Sequence, residues 1–566
     1  MNLFRSQSLQ KSIVLTAAIL LLGQNWAWAA QAPNRTDIED QNRRARQEAQ
    51  DRQQRAESPD VFLQKGGNGE HTIQLPEETP SFVIHTFQLE GDHLENFLWL
   101  QPLLNQYAGA KIGKEGINLL AKLLTESLID RGYITTRVLI PQQNLSSGVL
   151  RFRILPGIIQ DIRFVDPTIR GIWQSAFPVR PGDILNLRDL EQGLEQMKRV
   201  PSQDVDMQLL PGDKPGASMV AITVKQAKPW KVIFSLDDSG SQATGKLQES
   251  ATFSYDNFLG INDLFNVSLN CDADRAGSDR GTSGNSFYYS FPQGYWTYSI
   301  SHSYYQYHQT VANSGNSFVS SGQMDDWNIE AERLLHRDQR QKTSLAFAVS
   351  TGLNQYFMDD TEIGVERQQI TTAKLALRQK QYNGQTVLNW ELAAQRGVPW
   401  FGAEPDPQAS SADSPTTRFT VWTADATLTA PVHFGNPKAQ YTAVLHGQYT
   451  KNTLFASQCL SIGNRYTVRG FDGEQTLSGE TGWYWRNELS FPQANSGEFY
   501  LGLDCGHVYG PTSALSPGRF LLGSVLGVRG NWQGAQYDVF LGFPLRKPAA
   551  LETASPTLGF QLIYQL

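Results

Sequence analysis

The stretch GWYWRNELSF, residues 482–491, alternates at period two: Trp483, Trp485, Leu489 and Phe491 share one face, and Tyr484, Arg486, Glu488 and Ser490 share the other. Successive side chains of a strand point to opposite sides, so this is a strand with one greasy and one charged surface. In a soluble sandwich the apolar face would turn inward and be mostly aliphatic. Here it is rich in Trp, and the opposite face carries charge that a packed core tolerates only when paired. The pattern suits a strand whose apolar side meets lipid and whose polar side lines a wet lumen.

The same alternation recurs through the second half of the chain. In YWTYSISHSYY (295–305), Trp296, Tyr298, Ile300 and Tyr304 oppose Thr297, Ser299, Ser301 and Ser303. In the terminal TLGFQLIYQL (557–566), Leu558, Phe560, Leu562, Tyr564 and Leu566 oppose Gly559, Gln561 and Gln565. Such segments approach the length a tilted membrane strand needs. Tight turns are expected at Pro292-Gln293-Gly294 and at Gly260, whereas PWFGAEPDPQASSADSPTTR (399–418) is long and polar. Short turns on one side and long loops on the other are the habit of outer-membrane barrels, so residues 229–566 predict a closed β-barrel of about 16 antiparallel strands, an even number.

The remaining composition narrows the function. The chain has 566 residues with 28 Phe, 20 Tyr, 13 Trp and 48 Gly, a mixture that suits strands and turns. Its net charge of −7 offers no basic face for a nucleic acid. Cys271, Cys459 and Cys505 are odd in number and far apart, which excludes a disulfide framework and a metal-ligand spacing. Arg5 and Lys11, the apolar run 13–23 and the AWA of 27–29 make residues 1–29 a secretory signal peptide. An exported chain with no other long apolar run is either soluble outside the inner membrane or a closed barrel in an outer one.

Residues 34–57 read as a helix carrying six Arg and six Asp or Glu, with Ile38 its only large apolar residue. A helix polar all round buries no face in a core, so it is either a solvated leader or a helix lying in a wet channel. A linker with Gly and Pro punctuation follows (58–81). Residues 82–157 and 158–228 then each run strand, helix, strand, strand. The first has its helix in GKEGINLLAKLLTESLIDRGY (113–133), the second in NLRDLEQGLEQMKRVP (186–201). Two consecutive passes of the same pattern are an internal repeat.

IPQQNLSSGVLRFRILPGII (140–159), RPGDILNLRDLEQGLEQMKRVP (180–201) and LLPGDKPGASMVAITV (209–224) resemble the paired POTRA (polypeptide-transport-associated) domains of two-partner secretion transporters, the haemolysin secretion/activation family of Gram-negative bacteria. DDSGSQATGKLQ (237–248), DNFLGINDLF (256–265) and YSFPQGYWTYSISHSYY (289–305) resemble that family's first barrel strands. The resemblance implies a sixteen-stranded barrel in the outer membrane, POTRA domains in the periplasm, and an N-terminal plug helix matched in place and character by 34–57. It implies a large exoprotein as partner (a haemolysin, an adhesin or a contact-dependent growth-inhibition toxin), recognised through its N-terminal secretion domain and exported unfolded. It further implies contact with outer-membrane lipid, dependence on the barrel assembly machinery during biogenesis, a monomeric pore and no cofactor. The alternative within the superfamily is an assembly factor that inserts other barrels, which a longer POTRA array would favour.

RYTVRGFDGEQ (465–475) raises its own question, because Arg469 stands beside an aromatic in what should be a surface loop. Val468, Arg469, Gly470 and Phe471 match the family's V-R-G-aromatic loop tip, which folds back into the barrel, here around 455–480. By resemblance the arginine pairs with the aspartate of an F-x-D-x-G wall motif. GLDCG (502–506) supplies Asp504 and Gly506 but has Gly502 in place of the aromatic. The residues themselves agree: with Phe499, Leu501, Leu503 and Cys505 outward, Asp504 points into the lumen, where a guanidinium offers a carboxylate a bidentate match. Gly470 allows the loop to turn and approach the wall closely.

An enzyme is not expected. The chain has no G-x-S-x-G and no H-E-x-x-H, and its nine His are scattered. GAKIGKEG (109–116) lacks the spacing and the Ser or Thr of a phosphate loop.

Overall fold

The computed structural model describes residues 60–63, 73–313, 316–406, 414–433, 438–493, 497–514 and 516–566. Residues 1–29, expected as a signal peptide, and 34–57, expected as the plug helix, lie outside the described residues.

In the first N-terminal unit, strand Thr86–Gly91 pairs parallel with Val149–Leu155, which pairs antiparallel with Arg137–Leu139. A short helix α1 (Gln101–Asn105) precedes the long helix α2 (Lys114–Asp130). Leu120, Leu123, Leu124 and Leu128, spaced on one helical face, pack against Phe87, Leu150 and Phe152 of the sheet. The Glu78 carboxylate accepts the amides of Gly113, Glu115 and Gly116 at 3.0, 2.8 and 2.7 Å. The start of α2 therefore already holds an anion, supplied by the chain itself. Helix α1 escapes a periodicity reading because five residues are too few to show a period.

The second unit repeats the order. Ile158–Phe164 pairs parallel with Ala217–Gln226, which pairs antiparallel with Gln203–Pro211. Helix α3 (Leu187–Lys198) starts at Asn186, whose side chain accepts the Arg188 amide at 2.9 Å. The two units abut: the Leu187 amide donates to the Gly132 carbonyl at 2.8 Å and the Asn186 side-chain amide to the Arg131 carbonyl at 3.2 Å.

Beyond them sixteen antiparallel strands, from Trp230–Asp237 to Thr557–Gln565, close into a barrel. Its outer surface exposes Phe253, Ile329, Leu375, Leu392, Trp485 and Leu501, as lipid requires. Ser254, Ser268, Ser290, Ser301 and Ser303 are buried on the inner side. On the early strands these hydroxyls bond one another, Ser235 to Ser250 and Thr252 to Ser268, both at 2.6 Å. Further round, Arg378 is held by Glu330, Glu332 and Glu391 at 2.7, 2.5 and 2.7 Å.

Two details of closure matter below. The turn expected at 292–294 lies further along: Pro292 and Gln293 pair with Thr297 and Trp296, leaving Gly294-Tyr295 as the turn. Gly294 takes φ 62°, which a two-residue hairpin demands. The seam between last and first strands carries five register pairs, Gln561–Asp237 to Gln565–Ile233, against eight between Trp230–Asp237 and Gln248–Asp256.

Candidate functional site

The chain between strands Lys438–Thr450 and Thr481–Pro492 turns into the barrel. Its two limbs, Leu460–Ile462 and Leu477–Gly479, pair antiparallel. At the tip Val468 and Phe471 are fully buried, packed with Leu460, Ile462, Leu477, Val508 and Leu521. A solvated loop would leave such side chains wet; burying each of them is worth about 1.5–3 kcal/mol.

Between them Arg469 meets the wall. Its Nε lies 2.7 Å from Asp504 Oδ2, its Nη2 lies 3.0 Å from Asp504 Oδ1, and its backbone amide donates to Asp504 Oδ2 at 3.1 Å. Asp504 is completely buried and also accepts the Asn487 amide at 3.1 Å. The other arm of the guanidinium, Nη1, lies 2.5 Å from Glu488 Oε2, and Nη2 donates to the Asn487 carbonyl at 3.2 Å. Burial pushes the Arg469 guanidinium toward losing its proton, but Asp504 and Glu488 outweigh that and hold it charged.

Glycines make the contact possible. Gly470 has φ 106° and rests on Gly542, where a Cβ would lie 2.8 Å from the Gly470 Cα. A Cβ at Gly523 would come within 1.9 Å of the Arg469 carbonyl oxygen, and one at Gly506 within 3.0 Å of Val468 Cγ2. Gly502, the residue that departs from the F-x-D-x-G pattern, has the same effect: a Cβ there would sit 2.5 Å from Arg469 Nη2. Rather than weakening the wall motif, its bare backbone leaves the space that the guanidinium fills.

The structure thus brings Val468, Arg469, Gly470, Phe471, Asp504 and Gly506 into one site and adds residues the sequence reading did not assign. Glu488 lies on the polar face that alternation predicts. It bridges Arg469 and Arg529, the latter at 2.8 Å. Glu474, past the tip, accepts the Gln242 amide at 3.1 Å and pairs with Lys246 at 3.4 Å. Arg465, before the tip, ion-pairs with Asp238, and Asp238 Oδ1 also accepts the Phe560 amide at 2.9 Å. Arg465 Nη1 also donates to the Phe560 carbonyl at 3.5 Å, so the infolded loop touches the last strand and the segment just past the first, at the seam. Alternation marks Glu488 as charged and inward, but Arg465, Glu474 and Asp238 lie off the strands, where no period shows which groups will meet.

Elsewhere, His446 stands 2.6 Å from Asp425 and His302 3.2 Å from Asp325, in separate pairs. Cys271, Cys459 and Cys505 form no disulfide. Among the described residues no group of three or more His, Cys, Asp or Glu is placed to hold a metal ion.

Two tandem α+β units leading into a sixteen-stranded barrel with a loop folded inside define an outer-membrane polypeptide transporter of the POTRA–barrel class. The comparisons say which. The haemolysin secretion/activation protein family ShlB/FhaC/HecB matches residues 216–530, a ShlB-type POTRA domain matches 82–157 and a POTRA domain matches 158–211. Outer membrane transporter CdiB-2 of Burkholderia pseudomallei (strain 1026b) is 40% identical over 97% of this chain and 98% of its own. Hemolysin transporter protein ShlB of Serratia marcescens is 30% identical over 71% and 72%. The solved structure of CdiB from Escherichia coli superposes with a TM-score of 0.83 at 26% identity, covering 95% of this chain and 100% of that one.

The chain belongs to the haemolysin secretion/activation family. It is an outer-membrane pore, not an enzyme, with its POTRA domains in the periplasm, and it exports a large exoprotein.

Proposed function

We propose that the exoprotein, of the haemolysin, adhesin or growth-inhibition class, presents its N-terminal secretion domain to the two POTRA units and then threads the barrel unfolded. Among the described residues, the strands Thr86–Gly91, Arg137–Leu139 and Gln203–Pro211 each have a sheet partner on one side only, and the free edge of Ile158–Phe164 begins past Ile159, whose amide and carbonyl bond residues 183 and 182. An incoming segment can add to such an edge, with main-chain hydrogen bonds giving affinity and side-chain pockets giving specificity. Residues 34–57 act as the resting plug. The pore works as a monomer, placed in the membrane by the barrel assembly machinery. In a compartment without nucleotide, folding of the passenger outside drives transfer by blocking its return.

One observation supports this reading most strongly. The tip of the 455–480 loop is pinned inside the lumen by Arg469 on Asp504 and Glu488, so a passenger passes only when that contact gives way. The loop is the gate, and the ion pairs set its resting position.

The test is Arg469→Ala in cells that export the passenger. The barrel should remain folded, seen as unchanged heat-modifiable migration, while passenger release falls; normal release would overturn the assignment. Deleting residues 34–57 should raise single-channel conductance in planar bilayers, and an unchanged trace would remove the plug.

A further inference from the structure

Residues 60–63, Asp-Val-Phe-Leu, lie between α3 and the barrel rim as a bound peptide would. The Leu63 amide donates to Glu191 Oε1 at 2.8 Å and the Val61 amide to Glu195 Oε2 at 3.3 Å, while Arg337 Nη2 donates to the Val61 carbonyl. Val61 is buried in the core of the second POTRA unit. The Phe62 ring meets Tyr382 edge-on at 4.9 Å, with the Arg337 and Lys342 cations 5.8 and 5.7 Å from its centre. The Asp60 carboxylate sits between Lys342 and Lys380, at 2.7 and 2.6 Å.

Every feature of this groove is built for a ligand of one kind. Glu191 and Arg337 are nearly completely buried, with side-chain exposures of 0% and 2%, so their positions do not depend on solvent. Main-chain atoms are read by charged groups, which tolerate many sequences. The aliphatic and aromatic side chains fall into pockets, and four cations, Arg188, Arg337, Lys342 and Lys380, meet two acids, Glu191 and Glu195, once Asp60 is set aside. An acidic residue just ahead of an apolar pair satisfies that balance. None of these contacts requires the peptide to belong to this chain.

The groove also stands on the export route. It opens beside a cavity lined by Asp60, Glu195 and Lys342 together with the barrel-wall residues Arg378, Trp390 and Asp425. A segment moving from the second POTRA unit into the lumen runs along it. We propose that this is a recognition site for an extended acidic–aliphatic–aromatic peptide, which residues 60–63 occupy at rest and a segment of the passenger occupies during export. The proposal rests on the export reading above. A tethered strap has the advantage of high local concentration, and a passenger held on the POTRA units has the same advantage, so exchange between them needs no large difference in intrinsic affinity.

The probe is a fluorescein-labelled, acetylated hexapeptide of sequence PDVFLQ, titrated by anisotropy into the full-length transporter in detergent. The strap variant Asp60→Asn/Phe62→Ala, which removes the strap's ion pairs and its ring contact so that residues 60–63 leave the groove, should bind it at least about tenfold more tightly than the wild type, whose groove is filled. Adding Lys342→Gln to that variant, or replacing the peptide's Asp by Asn, should each weaken binding about tenfold. If the strap variant keeps wild-type heat-modifiability yet binds the Asp and Asn peptides equally, or binds neither, the site is overturned. A photo-crosslinking residue at Tyr382 tests the exchange in cells: an adduct with the exoprotein is expected. Undiminished release with no adduct overturns the exchange, whereas absence of release in the wild type instead counts against the export reading.

Discussion

A methyl group at Gly502 would lie 2.5 Å from Nη2 of Arg469, so the wall and the loop tip fit with no room for one more carbon. Gly502→Ala is therefore expected to push the guanidinium off Asp504, at an overpacking cost of about 1–3 kcal/mol. Protease nicking of the 455–480 loop in intact cells should increase, with the barrel still folded. A loop as resistant as the wild type would show that the guanidinium has another resting place.

Arg469 serves two acids, which shapes the outcome of charge exchange. Removing it strands a buried carboxylate at Asp504, at a cost on the order of 3–5 kcal/mol. Arg469→Lys should rescue little, because a single ammonium cannot reproduce the fork. Reversing both Arg469 and Asp504 should recover more passenger release than either change alone, but incompletely, because Glu488 would then face a carboxylate. Adding Glu488→Gln to the double reversal should raise release further. A double reversal no better than the singles would argue against direct pairing.

Arg465 and Asp238 join the loop to the seam, so they should behave as one unit in stability measurements. Each single change, Arg465→Ala or Asp238→Asn, should lower the temperature at which the barrel loses its compact migration in semi-native gels. A hydrogen bond to a charged group is worth about 1.5–3 kcal/mol, and the double variant should lose less than the sum. A cysteine pair at the register partners Ser235 and Ile563 should restore the temperature under oxidising conditions only. Simple additivity would separate the loop from the seam.

Asp60 gives the strap an acid limit. Burial raises its carboxyl, but Lys342, Lys380 and the Tyr382 hydroxyl outweigh this and bring it down to about 2, from 3.8 in the unfolded chain. A depressed acid contributes its full stabilisation above the unfolded value and loses it as pH falls through the folded one. The strap should therefore be held from neutral pH down to about 4 and released between about 4 and 2, a contribution of about 2 kcal/mol. Amide exchange at Val61 and Leu63 reads this directly. Asp60→Asn should show fast exchange at neutral pH and no further change over the acid range.

What the sequence disclosed and what it withheld follow the range of each interaction. Trp485 and Glu488 betray their faces because alternation is local, and counting from Leu503 is enough to aim Asp504 inward. Helix α2 declares itself through four leucines on one side. The wall glycines Gly523 and Gly542 lie far along the chain from Arg469 and carry no periodic mark, so only barrel register shows that they make room for the loop. Arg465 and Asp238 are more than two hundred residues apart, and Asp60 sits in a linker whose composition resembles any other. Gly502 is the instructive case. Compared with the family pattern it looked like a defect, and its meaning emerged only once the guanidinium was seen beside it.

The paired hydroxyls of the early strands bear on how a passenger travels. Ser235 with Ser250, and Thr252 with Ser268, already engage each other, so each pair spends one of its two O–H groups on its neighbour and turns a small, uncharged surface to the bore. A polypeptide grazing these hydroxyls meets no charge, and stickier contacts await it further round, at the carboxylates gathered about Arg378.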